Sequence, residues 1–166
     1  MRVTDRSLPD PASGGPTDEA SVHVDAPPAA VWAVVSDVAR VPEWSPECTG
    51  IRWYGQPRGA EVGARFLGFN RKGMLRWLTR NRIEEVVPGE RLAWLTVDNK
   101  TRWAYAVSPD GDGSSVTLRR TLPTDRPFLP AMAVRFLLGG FDAHDGHMRD
   151  NIAQSLDRLK AVIEGA

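Results

Sequence analysis

From Ser21 to Ala26 apolar and polar residues alternate, with Val22 and Val24 on one side and His23 and Asp25 on the other, which is the period of a half-buried strand. Pro27 and Pro28 then supply the fixed φ of a first helical turn. Val31, Trp32 and Val35 recur as an apolar stripe, so a short helix follows directly. Asp37 stands where it can cap a second short turn carrying Val38 and Val41, and Pro42 and Pro46 force the chain out of helix, putting Trp44 in a loop. From Thr49 onward the punctuation is that of a strand meander, with breaks at Gly55 to Gly59, Arg71 to Gly73, Pro88-Gly89, Asp98 to Lys100 and Pro109 to Gly113. They delimit six strands: Cys48 to Tyr54, Ala64 to Asn70, Met74 to Val87, Arg91 to Val97, Thr101 to Val107 and Ser115 to Leu122.

After Pro123, Pro127 and Pro130 the period changes to that of a helix. Phe141, Met148, Ile152, Leu156, Leu159 and Ile163 fall on one side, while His147, Asn151, Gln154 and Arg158 fall on the other. Gly139, Gly140 and Gly146 weaken the first half of this helix, where a kink or hinge is expected, and with the Pro123 to Pro130 loop they suggest a lid. The order strand, two short helices, six strands, long helix contains no strand–helix alternation and no repeat. It predicts an α+β domain with an antiparallel sheet. Residues 1-18, broken by Pro9, Pro11, Gly14, Gly15 and Pro16, read as a disordered tail, and residues 19-166 as the folded domain.

Several blocks of the chain resemble the START-like superfamily, and most closely its polyketide cyclase/dehydrase and lipid-transport (SRPBCC) branch. They are VHVDAPPAAVWAVVSDVARVPEW (Val22 to Trp44), GARFLGFNRKG (Gly63 to Gly73), PGERLAW (Pro88 to Trp94), WAY (Trp103 to Tyr105) and the closing MRDNIAQSLDRLKAVIE. The resemblance implies a helix-grip fold, in which a seven-stranded curved antiparallel sheet wraps around the last helix and a ligand cavity lies between them. Members bind lipids, polyketides, steroids or hormones, and some catalyse cyclisation or dehydration, so fold alone does not choose between carrier and enzyme.

Alternate residues of a sheet with one wet face point inward, which identifies the cavity wall. In the third strand of the meander Leu75, Trp77, Thr79, Asn81 and Ile83 form the inner set, because the even positions include Arg76, Arg80, Arg82 and Glu84. Trp103, Tyr105 and Val107 share one face of their strand, and Phe66, Gly68 and Asn70 share another if Arg65 points to water. Trp94 has no assignable side, since both faces of Leu92 to Val97 are mostly apolar. With Trp44 these aromatics either fill a core or line a site, and Asn70, Asn81 and Tyr105 are the polar candidates. On the helix, Phe141 and Met148 belong to the apolar stripe, and His144 and Asp145 flank Phe141 at about −60° and +40°, at roughly 100° per residue, so both can look into a cavity mouth. His144, Tyr105 and Asn70 are the candidates for moving protons or polarising a carbonyl; for His144 the alternative is a histidine that merely hydrogen-bonds.

With 21 basic and 21 acidic residues in 166 the net charge is zero, so no overall field favours nucleic acid or an anionic membrane. A chain of this length buries roughly 70% of its unfolded surface, enough for a core without staples. The single cysteine, Cys48, permits no internal disulfide. With no apolar run of membrane-spanning length and no leader-like start, this leads to the expectation of a cytoplasmic protein without a membrane span. Cys48 itself has no base in its local sequence and reads as a small apolar residue. His144 and His147 stand at i, i+3, but no third ligand is spaced to join them, and neither a metal nor a cofactor is expected. Seven basic residues against Glu61 between Arg58 and Arg82 make either an anion surface or a solvated outer strand face.

Three functions follow from this reading. The first is binding or transport of a small hydrophobic ligand such as a lipid or polyketide. The second is a cyclase/aromatase or dehydratase working in the same cavity, and the third a protein-interaction module such as a chaperone cofactor. A small hydrophobic ligand is the expected partner, nucleic acid is not, and the chain is a monomer or a homodimer.

Overall fold

The computed structural model describes residues 17–123 and 141–165, the side chains of 141–148 excepted. Seven strands form one antiparallel sheet: β1 (Thr17–Val24), β2 (Cys48–Tyr54), β3 (Arg65–Lys72), β4 (Leu75–Val87), β5 (Arg91–Thr96), β6 (Thr101–Asp110) and β7 (Gly113–Thr121). Their order is β1-β7-β6-β5-β4-β3-β2, so β2 to β7 are a continuous meander and β1 closes onto the last strand. Between β1 and β2 the chain crosses to the far edge through helix α1 (Pro28–Val35) and a 3-10 helix (Val38–Glu43). Helix α2 (Phe141–Glu164) lies on the inner face, packed mainly along β1 and also against β7, α1 and the 3-10 helix. This is the helix-grip arrangement.

The core takes in the apolar stripes of the helical segments and the inner positions Phe66 and Ile83 that the periodicities predict, and adds Leu92, Val116 and Leu118. Val31 and Val35 of α1, Val38 and Val41 of the 3-10 helix, Phe66, Ile83, Leu92, Val116 and Leu118 of the sheet, and Ile152, Leu156, Leu159 and Ile163 of α2 are all buried together. Turns sit at the expected breaks. Gly89 after Pro88 and Gly111 after Asp110 both have φ near the left-handed region, at 80° and 57°, which a side-chain-bearing residue adopts only with strain.

Several boundaries differ from the sequence reading for identifiable reasons. β1 begins at Thr17 and ends at Val24, so Thr17 and Asp18 belong to the strand rather than to a tail. The inward position at its start is the charged Asp18, which no hydrophobic pattern reveals. Asp18 is buried because Arg120, directly opposite on β7 and 2% exposed, donates to its carboxylate, and Arg149 of α2 donates to its other oxygen at 2.6 Å. β6 runs on through Pro109. Its pairing with β5 ends at Ala106, so beyond that point a missing N–H leaves no gap in a ladder with β5. Pro42 lies inside the 3-10 helix instead of ending it, and Asp37 occupies the N-cap without a side-chain hydrogen bond. Asn151, which periodicity puts on the wet side of α2, is buried. Gly139 and Gly140 lie outside the described residues, and the helix is uninterrupted through Gly146.

β1 and α2 run side by side and are joined at both ends. Asp18 meets Arg149 at one end; at the other the amide of Asp25 donates to Glu164 at 2.7 Å and the Lys160 ammonium donates to the His23 carbonyl at 2.7 Å. Seven strand steps at roughly 3.3 Å match fifteen helical steps at roughly 1.5 Å, so the two spans agree within about an ångström.

Candidate functional site

The concave face of the sheet and α2 do not meet completely. A cavity of about 180 Å³ remains between them, bounded by β2 to β7, by the segment Ser45 to Cys48 and by α2. Its deep end is formed by Phe66, Trp94, Tyr105 and Leu118, all buried, and it reaches the surface past half-buried Trp77 and exposed Asn99.

One wall is aromatic, made by Phe66, Trp94 and Tyr105, with Trp53 packed against Phe66 outside the lining. Trp53, Phe66, Trp94 and Tyr105 form a row in which successive ring centroids lie 5.3, 5.8 and 5.7 Å apart; the first two contacts are edge-on and the third tilted. Trp94 faces inward. The sequence leaves its side open because the opposite face of β5 is also apolar, where Ala93 packs on Ala104 of β6. Trp44 does not reach the wall. It lies fully buried behind Tyr105, and its indole N–H donates to the Tyr105 hydroxyl at 3.2 Å.

The floor is polar and neutral. Asn70 donates its amide to the Thr79 hydroxyl at 3.3 Å, Asn81 donates to the same hydroxyl at 3.1 Å, and Thr96 donates to the Asn81 carbonyl oxygen at 2.8 Å. This chain of side chains crosses β3, β4 and β5. Gly68 makes room for it, since a Cβ there would stand 2.7 Å from the Thr79 hydroxyl. From α2, Asn151 and Ser155, one helical turn apart, complete the polar part of the wall. Among the described residues, the Ser155 hydroxyl and the Trp94 indole N–H have no hydrogen-bond partner, and the Tyr105 hydroxyl accepts from Trp44 without an acceptor of its own.

Among the described residues, Glu47 is the only lining residue that carries a formal charge, and no lysine or arginine lines the cavity. Burial pushes the Cys48 thiol up to about 11 against a weaker opposing hydrogen bond from the Gly50 backbone, and pushes the Tyr105 phenol up to about 12 despite the Trp44 bond. Both groups are therefore neutral and protonated at ordinary pH. Among the described residues no three His, Cys, Asp or Glu side chains converge as a metal site would require. No helix among them is long and apolar enough to cross a membrane.

Of the residues singled out in the sequence, Phe66, Asn70, Trp77, Asn81, Trp94, Trp103 and Tyr105 come together on this cavity. The side chains of Phe141, His144, Asp145 and Met148 lie outside the described residues. Thr79, an inward position in the sequence reading, also lines it, whereas Thr96, Asn151 and Ser155 are lining residues that the sequence reading does not single out. The available signal was the polar pair Asn151 and Ser155 running beside Ile152 and Leu156, an amide and a hydroxyl adjoining an apolar stripe.

A comparison with curated proteins finds no match. Solved structures share the fold. The Zhui aromatase/cyclase from Streptomyces sp. R1128 superposes with a TM-score of 0.73 at 14% identity, covering 90% of this chain and 93% of that one. A polyketide-cyclase-like protein from Corynebacterium glutamicum gives 0.57 at 24% identity, with 95% and 94% covered. A major latex-like protein from Panax ginseng gives 0.65 at 10% identity, with 88% and 95% covered. Residues 17–164 match the family described as polyketide cyclase / dehydrase and lipid transport. The chain, matched over all of its described strands and its long helix, belongs to that family.

Proposed function

We propose that this protein binds a small neutral ligand, apolar over most of its surface and carrying carbonyl or hydroxyl oxygen, in the cavity between sheet and helix. The observation that carries this reading is the pairing of an aromatic wall with the cation-free polar floor Asn70–Thr79–Asn81–Thr96. A carboxylate ligand would lose its hydration without gaining a cation among the described lining residues. A neutral carbonyl would find donors without protein partners at Tyr105, Trp94 and Ser155. The cavity is below the roughly 300–1,000 Å³ of drug-sized sites, which favours one small ring system or the enclosed head of a longer molecule. Likeness to an aromatase/cyclase keeps chemistry on such a ligand as the alternative. That reading needs a proton-transfer group; Cys48 and Tyr105 keep their protons at neutral pH, and His144, whose side chain lies outside the described residues, is the sequence's candidate.

Trp77, Trp94 and Trp103 on the wall make intrinsic fluorescence the direct assay. Neutral aryl ketones and phenols should quench it and raise the melting temperature, the gain reaching about 2.7 kcal/mol at a hundredfold excess over Kd. Fatty acids of similar size should bind more weakly. If every compound in a panel of ketones, phenols, sterols and fatty acids left both signals unchanged, the binding reading would fail. Turnover of a poly-β-ketone substrate that His144→Ala abolished would establish the alternative.

A further inference from the structure

The described residues expose five large apolar side chains, and four of them, Phe69, Met74, Leu75 and Leu78, belong to one hairpin, β3–β4. Its two-residue turn places Gly73 in the left-handed region and carries Met74 at the apex, 97% exposed. Phe69 and Leu78 face each other across the strands on the convex side, while Leu75 is opposite Lys72 on the other.

The same hairpin is basic, and its charges divide into two groups. Towards the body of the sheet, Arg80 pairs with Asp98 at 2.6 Å, Arg82 with Glu84 at 3.0 Å, and Arg65 lies over the Tyr54 ring. Towards the tip, Arg71 and Arg76 stand directly opposite each other, an arrangement that is destabilising unless an anion lies between them, and Lys72 is beside them. Among the described residues none of these three has a carboxylate partner. An open groove at this end is lined by Phe69, Trp77 and Leu78 together with Thr49, Asn70, Arg71 and Arg76, so apolar and cationic side chains share it.

We infer that the tip of the β3–β4 hairpin docks on an anionic lipid surface, with Met74, Leu75, Phe69 and Leu78 entering the interface and Arg71, Lys72 and Arg76 meeting the phosphate layer. The charge and the apolar surface select this partner together. A nucleic acid would engage the cations but not an apolar apex, whereas a membrane interface takes both, and long basic side chains reach its headgroups from an inserted apolar element. Trp77 and Asn70 line both this groove and the cavity, so docking would bring the cavity mouth to the lipid. The inference stands without any ligand in the cavity.

The test is co-sedimentation of the full chain with vesicles of phosphatidylcholine alone and of phosphatidylcholine mixed with phosphatidylglycerol, at low and high salt. Binding is expected to the mixed vesicles only, weakening as salt rises. Replacing Arg71, Lys72 and Arg76 by Gln should weaken it roughly fivefold per cation, roughly a hundredfold together. Met74→Ser with Leu78→Ser should also reduce it, with the charges intact. All these residues are exposed or half-buried, so unchanged melting temperatures will show that the variants are folded. Equal binding to neutral vesicles, or no binding to either, overturns the inference. So does association with duplex DNA that the Gln variant loses and the Ser variant keeps. A concentration-dependent dimer, lost in the Ser variant and unaccompanied by vesicle binding, would give the face to a second copy and overturn it too.

Discussion

Removing one oxygen atom tests the deep end of the cavity. Tyr105→Phe keeps the ring, and with it the contact to Trp94 at 5.7 Å, but takes away the acceptor of the Trp44 indole N–H. Trp44 is 0% exposed, so its N–H has no water to turn to. A buried donor left unsatisfied costs about 1–3 kcal/mol. For a domain of this size each kcal/mol is about 2–4 °C, so the melting temperature should fall by about 2–12 °C. Calorimetry or a circular-dichroism melt at neutral pH reads this directly. The same substitution should weaken a neutral aryl ketone about fivefold, one ordinary hydrogen bond, in a tryptophan-quenching titration. A variant that melts within a degree of the parent would show that the Trp44–Tyr105 bond does not hold the wall, and the reasoning would fall.

Gly68→Ala should destabilise by about 1–3 kcal/mol and reduce ligand binding more than Tyr105→Phe does, because its Cβ would displace the Thr79 hydroxyl and break the polar floor; isothermal titration calorimetry measures the second effect. At alkaline pH stability should decline. Burial raises Cys48 from 9.0 to about 11 and Tyr105 from 10.0 to about 12, so the unfolded chain loses these protons first and stability falls across that window; Cys48→Ala should remove the lower part of the decline in a urea series. At acid pH the sign reverses. Burial acts to raise the Asp18 carboxyl, but hydrogen bonds from Arg120 and Arg149 outweigh it and hold it below the usual carboxylate range. Its stabilisation is thus complete above the ordinary value of 3.8 and is lost as pH falls through the lowered one. Asp18→Asn should cost about 3 kcal/mol at neutral pH, since Arg120 remains buried, and should flatten that acid limb.

Much of this was legible where the physics is local. The even positions of β4 include Arg76, Arg80, Arg82 and Glu84, so the inner set Trp77, Thr79, Asn81 and Ile83 follows, and the bulge that shifts the register beyond Ile83 lies past those residues. The aliphatic stripe of α2 follows in the same way. What stayed hidden depends on neighbours distant in sequence. Asp18 belongs in a strand only because Arg120 faces it from β7, 102 residues away. Trp94 points inward only because Ala104 covers Ala93 from behind. Asn151 is buried because a polar cavity wall requires inward-facing amides, and a rule that sorts a helix by polarity places such a residue on the outside.

The joining of β1 to α2 at both ends also has a kinetic consequence. The first strand of the domain finds its long partner only in residues 149 to 164, so a chain emerging from the ribosome holds a greasy, uncovered concave sheet until that helix has been made. Contacts of such long sequence separation slow folding and lengthen the time during which chaperones must shield the nascent chain. A truncation that ends before Arg149 should therefore accumulate as aggregate rather than as a smaller folded unit.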